Sequence, residues 1–138
     1  MGLQALRRFE TLPALEKKSP LPAWRRWSVP ECSFNYREYR PIDTVVIHAT
    51  AGSSSAGAMS VSQQCTASWH WLIPDENEAA HGEYVWHCVD HRYKAWHVLR
   101  RVKFPLDGHT DINSRAIGIE IVNAQIGEGD LFSDWQLQ

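Results

Sequence analysis

Hydrophobic and polar residues alternate most cleanly toward the C-terminal end of the chain, over Ala116-Ile117-Gly118-Ile119-Glu120-Ile121-Val122. A period of two puts Ile117, Ile119 and Ile121 on one face of a strand and Gly118, Glu120 and Val122 on the other. A second β-branched run, Thr44-Val45-Val46-Ile47-His48, follows Arg40-Pro41 and predicts a short strand buried on both faces. The aromatic and branched run Trp69-His70-Trp71-Leu72-Ile73, within residues 67–73, predicts another strand, closed by the turn chemistry of Pro74-Asp75-Glu76-Asn77. Tyr84 to Val89, after Gly82, predicts a fourth. Ala51 to Ser62 is rich in small and hydroxyl residues and contains Gly52 and Gly57, which predicts a loop leading into a short helix around Ala58 to Gln64. Residues 98–115, with Pro105, Gly108 and Asn113, read as irregular, and Gly127 and Gly129 mark a loop after the last strand. Strands joined by both short turns and longer connections predict an α/β fold: a mixed central β-sheet flanked by helices.

Composition narrows the picture. The 138 residues fit one domain. With 43% hydrophobic and 22% charged residues, the chain has the balance of a folded protein rather than a disordered one. Residues 1–27 carry a net charge of +4 and the remainder −6, for −2 overall, which argues against a nucleic-acid partner held by whole-molecule attraction. The basic leader contains Pro13, Pro20 and Pro22 and ends in Trp24 and Trp27, aromatic residues suited to pinning it onto the body. It reads as an N-terminal extension with short helical turns over residues 1–32, ahead of a domain over 33–138. No apolar run reaches the length of a membrane span. Met1 to Arg8 lacks the basic start, apolar stretch and small-residue site of a secretory signal, which points to synthesis in the cytoplasm. Cys32, Cys65 and Cys88 are odd in number and form no CxxC pair; a disulfide scaffold is not expected, although a single bridge is allowed.

Glu120 is the most informative single residue. A carboxylate in the middle of a strand needs a partner, a metal or a chemical task when buried, and otherwise an outward face or an ion pair such as one with Arg115. His48 ends its strand just before a small-residue loop, where α/β sheets present groups to ligands and where an imidazole can bind zinc; a purely structural histidine fits there too. His97 follows Ala95-Trp96, a pair that can line a groove or simply pack. His87-Cys88-Val89-Asp90-His91 has the composition of a metal cluster but not its geometry, because successive strand residues point to opposite faces. Gly52 to Gly57 lacks the Lys and hydroxyl residue of a phosphate loop, and Ser53 to Ser55 make no nucleophile elbow.

Taken in order, four blocks resemble the zinc-dependent N-acetylmuramoyl-L-alanine amidase family, which also embraces peptidoglycan recognition proteins. They are Ser33-Phe34-Asn35-Tyr36 through Arg40-Pro41; Val45-Val46-Ile47-His48-Ala49-Thr50-Ala51-Gly52; Ala67-Ser68-Trp69-His70-Trp71-Leu72-Ile73; and Ala95-Trp96-His97 with Ile112-Asn113-Ser114-Arg115-Ala116-Ile117-Gly118-Ile119-Glu120. The resemblance covers about residues 33 to 123. It implies a peptidoglycan or muropeptide substrate, a zinc cofactor with His48 as first metal ligand, Glu120 as general base, and Trp69, His70 and His97 at the substrate groove of a monomer. Trp69 stands where some relatives have a catalytic tyrosine.

The reaction so implied is hydrolysis of the amide between N-acetylmuramic acid and L-alanine by zinc-activated water. The family's second and third zinc ligands, a His and an Asp or Cys, come after a further helix, in His-x-Asp-Ile and Asp-Pro-Gly type segments. Phe132-Ser133-Asp134-Trp135-Gln136 resembles the start of that helix, and the sequence ends at Gln138. The chain as given is therefore expected to bind little zinc and to hydrolyse slowly. The rival expectation is a non-enzymatic wall-binding or regulatory module that keeps the groove without the metal.

Overall fold

A computed structural model describes residues 22–38, 41–123 and 132–138. The leader's expected helical turns, Arg40 and the Gly127/Gly129 loop lie outside the described residues.

The alternating segment forms β7 (Ala116–Ile121), as expected, and the Thr44 run forms β3 (Thr44–Ala49). They pair in parallel, with Thr44 opposite Ala116 and His48 opposite Glu120. On its other side β7 pairs in parallel with β4 (Trp71–Ile73), which pairs antiparallel with β5 (Val85–His87). The outermost strand, β1 (Trp24–Arg26), runs parallel to β5 and comes from the segment read as an extension. The sheet order is β1-β5-β4-β7-β3, so the mixed α/β sheet expected from the pattern is present. A two-stranded antiparallel ribbon, β2 (Phe34–Tyr36) with β6 (Tyr93–Ala95), stands apart from it.

β3 is not buried on both faces. It is an edge strand, and alternation sends Val45 and Ile47 outward, 60% and 61% exposed. Their opposite numbers face the core side, where α1 (Ser55–Gln63) packs. That core joins Ala58 and Met59 of α1 to Trp69, Leu72, Cys88 and Val122. Leu72 is fully buried, a gain of about 1.5–3 kcal/mol over an exposed leucine. Trp27 of the leader stacks on His81 with ring centres 4.5 Å apart, so the pinning role expected of it is met.

The helix begins three residues earlier than its sequence suggested, because two groups satisfy its first amides. Ser54 Oγ accepts from Gly57 N–H at 3.1 Å, and the Glu78 carboxylate accepts from Ser55 N–H at 2.8 Å and from Ser55 Oγ at 3.0 Å. A carboxylate at this end also meets the positive pole of the helix. Beyond its other end, Cys65 takes a left-handed φ of 58° and forms a disulfide with Cys32. That single bridge ties the 3-10 turn Glu31–Ser33 to the exit of α1. Among the described residues no helix is long and apolar enough to cross a membrane. The start of a last helix expected from Phe132 to Gln136 is α2 (Asp134–Leu137), capped by Ser133 in a reciprocal capping box with Gln136.

Candidate active site

Parallel register puts His48 and Glu120 side by side on the core face of the sheet. Ala67 and Trp69, before β4, and His97, after β6, close round them, making a pocket of about 300 Å³ that Ala58 and Val61 of α1 also line. Four of the five residues singled out from the sequence, His48, Trp69, His97 and Glu120, therefore meet in one place. Arg115, considered as an ion-pair partner for Glu120, is turned instead to Asp43 and Asp107.

The electrostatics follow from burial. Burial takes water from the Glu120 carboxyl, which disfavours its ionised form and pushes it up to about 7. His48 is lowered by the same desolvation and stays a neutral imidazole. His97 is lowered to about 3, by burial first and then by the nearby His70, His48 and Arg37. His48 Nε2 and His97 Nδ1 lie 3.2 Å apart, so one ring donates to the other, while His97 Nε2 is buried with no hydrogen-bond partner among the described residues.

His70, the fifth residue, does not line the pocket. It is fully buried behind it. Its Nδ1 accepts from Gly118 N–H at 2.9 Å and its Nε2 lies 3.1 Å from Tyr93 O, so neither ring nitrogen is free for a ligand. His70 lies in a bend just before β4, and the contacts with Gly118 and Tyr93, not strand alternation, set the direction of its ring. Burial lowers His70 to about 4.

A second cavity, of about 420 Å³, shares Ala67 and His97 with the first and extends along Asn35, Lys94, Trp96, Arg100 and Asp111. Its walls are held by side-chain bonds: Trp96 Nε1 donates to Asn35 Oδ1 at 2.7 Å, and Lys94 pairs with Asp111 at 3.3 Å. Asn113 accepts from Val98 N–H at 2.9 Å and donates to Val98 O at 2.8 Å, clamping the residue next to His97. The His87 to His91 segment splits as its spacing required. Cys88 is buried against Met59, its thiol pushed up to about 12, whereas His87 stacks on Trp71, whose indole donates to His91 Nε2 at 2.8 Å.

Sequence comparison decides the family. Residues 38–138 match the N-acetylmuramoyl-L-alanine amidase family. The chain belongs to it. No curated protein matches the chain in sequence. Among solved structures, the amidase domain is similar to a selenomethionine derivative of AmpD, with 21% identity, a TM-score of 0.51, and coverage of 84% of this chain and 68% of that one. It is also similar to AmpDH3 from Pseudomonas aeruginosa, with 22% identity, a TM-score of 0.53, and coverage of 93% of this chain and 47% of that one. These likenesses establish a shared fold, of which this chain spans about two thirds and about half of the respective chains.

The family implies zinc, and the described residues do not make its site. A closed or catalytic zinc centre takes three protein ligands at least. Among the described residues no group of three or more His, Cys, Asp or Glu side chains is arranged to hold a metal ion. His97 Nδ1, 3.2 Å from His48 Nε2, is engaged with His48 itself.

Two features of the site escaped the sequence reading. One is Arg37, whose guanidinium is buried among main-chain carbonyls. The other is the Cys32–Cys65 bridge beside Thr66 and Ala67 of the cavity walls. Nothing in the pattern around Arg37 distinguishes it from a solvated arginine; the cysteines were visible, but their partnership depends on tertiary contact.

Proposed function

We propose that this amidase domain cleaves the amide joining the lactyl group of N-acetylmuramic acid to L-alanine in peptidoglycan fragments, with Glu120 as the proton carrier. One observation carries the reading: His48 and Glu120 lie in register in one pocket, and the Glu120 carboxyl titrates at about 7. A general base works best when its pKa lies near the operating pH. Ionised Glu120 takes a proton from the attacking water as the new C–O bond forms. The protonated acid then returns it to the alanine nitrogen as the C–N bond breaks. Trp69 and His97 form the walls against which the substrate is oriented, and the cavity along Trp96 and Lys94 leaves room for the stem peptide. His48 supplies one neutral imidazole toward the zinc that the family implies. The described residues do not complete that site, and both proton transfers fall to Glu120.

Incubation of the chain with N-acetylmuramoyl-L-alanyl-D-glutamate, followed by mass spectrometry, tests this. Free L-alanyl-D-glutamate should accumulate with the wild type and not with Glu120→Gln; release of any other fragment, or equal release by both, would refute it. The shortage of metal donors favours a second reading, a peptidoglycan-binding module without turnover. Saturable binding of the intact compound with no cleavage, even with added zinc, would select that reading.

A further inference from the structure

We infer that Arg37 is a positioning residue for this site, acting through the main chain and His70 to hold His97 and β7 in place; the inference rests on reading the pocket as the amidase centre. Arg37 precedes the family match and is only 7% exposed. A buried cation is costly unless its donors are satisfied. Here they are satisfied by main-chain carbonyls, at Ser114 (2.7 Å), Tyr93 (3.0 Å), Ala116 (3.0 Å), Asn113 (3.1 Å) and His91 (3.1 Å). One planar fork thus joins the end of the β5–β6 connection, β6, the 3-10 turn Ile112–Ser114 and the first residue of β7. A lysine ammonium, a compact point charge with three donors, cannot span that set.

Two routes lead from this fork to His97. Along the first, Arg37 Nη2 and His70 Nε2 lie 3.1 Å apart and share Tyr93 O. Because His70 Nδ1 accepts from the Gly118 amide, a donor that cannot reverse, the ring carries its proton on Nε2. Gly118 is fixed in turn, and its missing side chain is the space His97 occupies: a Cβ there would lie 2.4 Å from His97 Cδ2 and 2.5 Å from Cγ. Along the second, Arg37 holds the Asn113 carbonyl while the Asn113 side chain clamps both polar groups of the Val98 main chain. His97 is therefore gripped from its ring and from its backbone neighbour, and Glu120 sits two residues past Gly118 on the same strand face.

Histidine ring 15N–1H correlation spectra of the full chain test this, alongside fluorescence titration with N-acetylmuramoyl-L-alanyl-D-glutamate. In Arg37→Lys, folded by circular dichroism, the His70 and His97 ring signals should move and the affinity fall about tenfold, as expected when a binding group is displaced. Arg115→Lys is the control, since it disturbs the ion pairs beside the same turn and should leave the His97 signals in place. Wild-type ring signals in folded Arg37→Lys, or equal movement in Arg115→Lys, would overturn the inference. If Arg37→Lys does not fold, the wild type and Gly118→Ala decide: His70 protonated on Nδ1, or His97 signals unmoved in Gly118→Ala, would overturn it. Failure of the wild type to bind the probe would count against the amidase reading alone, because the ring signals are read without it.

Discussion

Glu120 stands directly opposite His48 across a parallel strand pair, a carboxyl that titrates at about 7 beside an imidazole kept neutral by burial. Neither shift needs a special charge partner; both come from the same loss of water, which disfavours the ionised form of each group. The pocket thus holds a protonatable acid and a neutral nitrogen donor together near neutral pH.

The Glu120 shift has a sign that can be checked. Its folded value of about 7 lies above the ordinary 4.5, so between those pH values the folded chain retains a proton that the unfolded chain has released. Stability then falls as pH rises through this window and levels off above it. Glu120→Gln should be more stable than the wild type by about 1–2 kcal/mol at pH 8, after allowance for partial solvent access, and nearly equal to it at pH 4. Urea denaturation at the two pH values measures this. Activity that depends on ionised Glu120 should show a rising limb with its midpoint near pH 7.

Reduction of Cys32–Cys65 should destabilise the fold. The bridge closes a loop with a sequence separation of 33, for which loop-closure entropy gives about 3–4 kcal/mol. Denaturation with and without reductant reports the difference, and Cys32→Ser with Cys65→Ser should reproduce the reduced value under both conditions.

Core packing on the α1 side should depend on Leu72. It is fully buried, whereas Leu106 is 87% exposed. Leu72→Ala should cost about 2–5 kcal/mol through lost transfer energy and the cavity left behind, and Leu106→Ala within about 0.5 kcal/mol. Equal effects in thermal melts would contradict the core described.

Glu78 should act as a helix anchor rather than a surface charge. Its carboxylate receives both the amide and the hydroxyl of Ser55. Glu78→Ala should lower stability by about 1–3 kcal/mol, the range for hydrogen bonds to a charged group, while Glu83→Ala, for which no such bond is described, serves as the comparison.

Zinc uptake offers a test of the donor set. With no group of three or more His, Cys, Asp or Glu side chains arranged to hold a metal ion among the described residues, elemental analysis after dialysis against zinc should find well under one metal per chain. One tightly held zinc per chain, lost in His48→Ala, would show that donors outside the described residues complete the site.

Much of this arrangement was written into the sequence. Strict alternation over Ala116 to Ile121 determined that Glu120 and Gly118 share a face, because side chains along a strand have a period of two whatever surrounds them. The β-branched run ending at His48 likewise determined a strand with a histidine at its end. What tertiary structure decided was partnership and access. β1, β2 and β6 are three residues each, too short for a period to show, and exist because a neighbouring strand completes their hydrogen bonds. Val45 and Ile47 look as buried as any core residue in the sequence; they fall on the face of β3 opposite His48 and are 60% and 61% exposed. His70 reads like a groove residue, yet its ring is enclosed by Arg37, Tyr93 and Gly118, groups up to about fifty residues away along the chain. Local sequence sets the direction in which a side chain leaves the backbone, and only the packed fold determines whether water, a ligand or a distant carbonyl waits there.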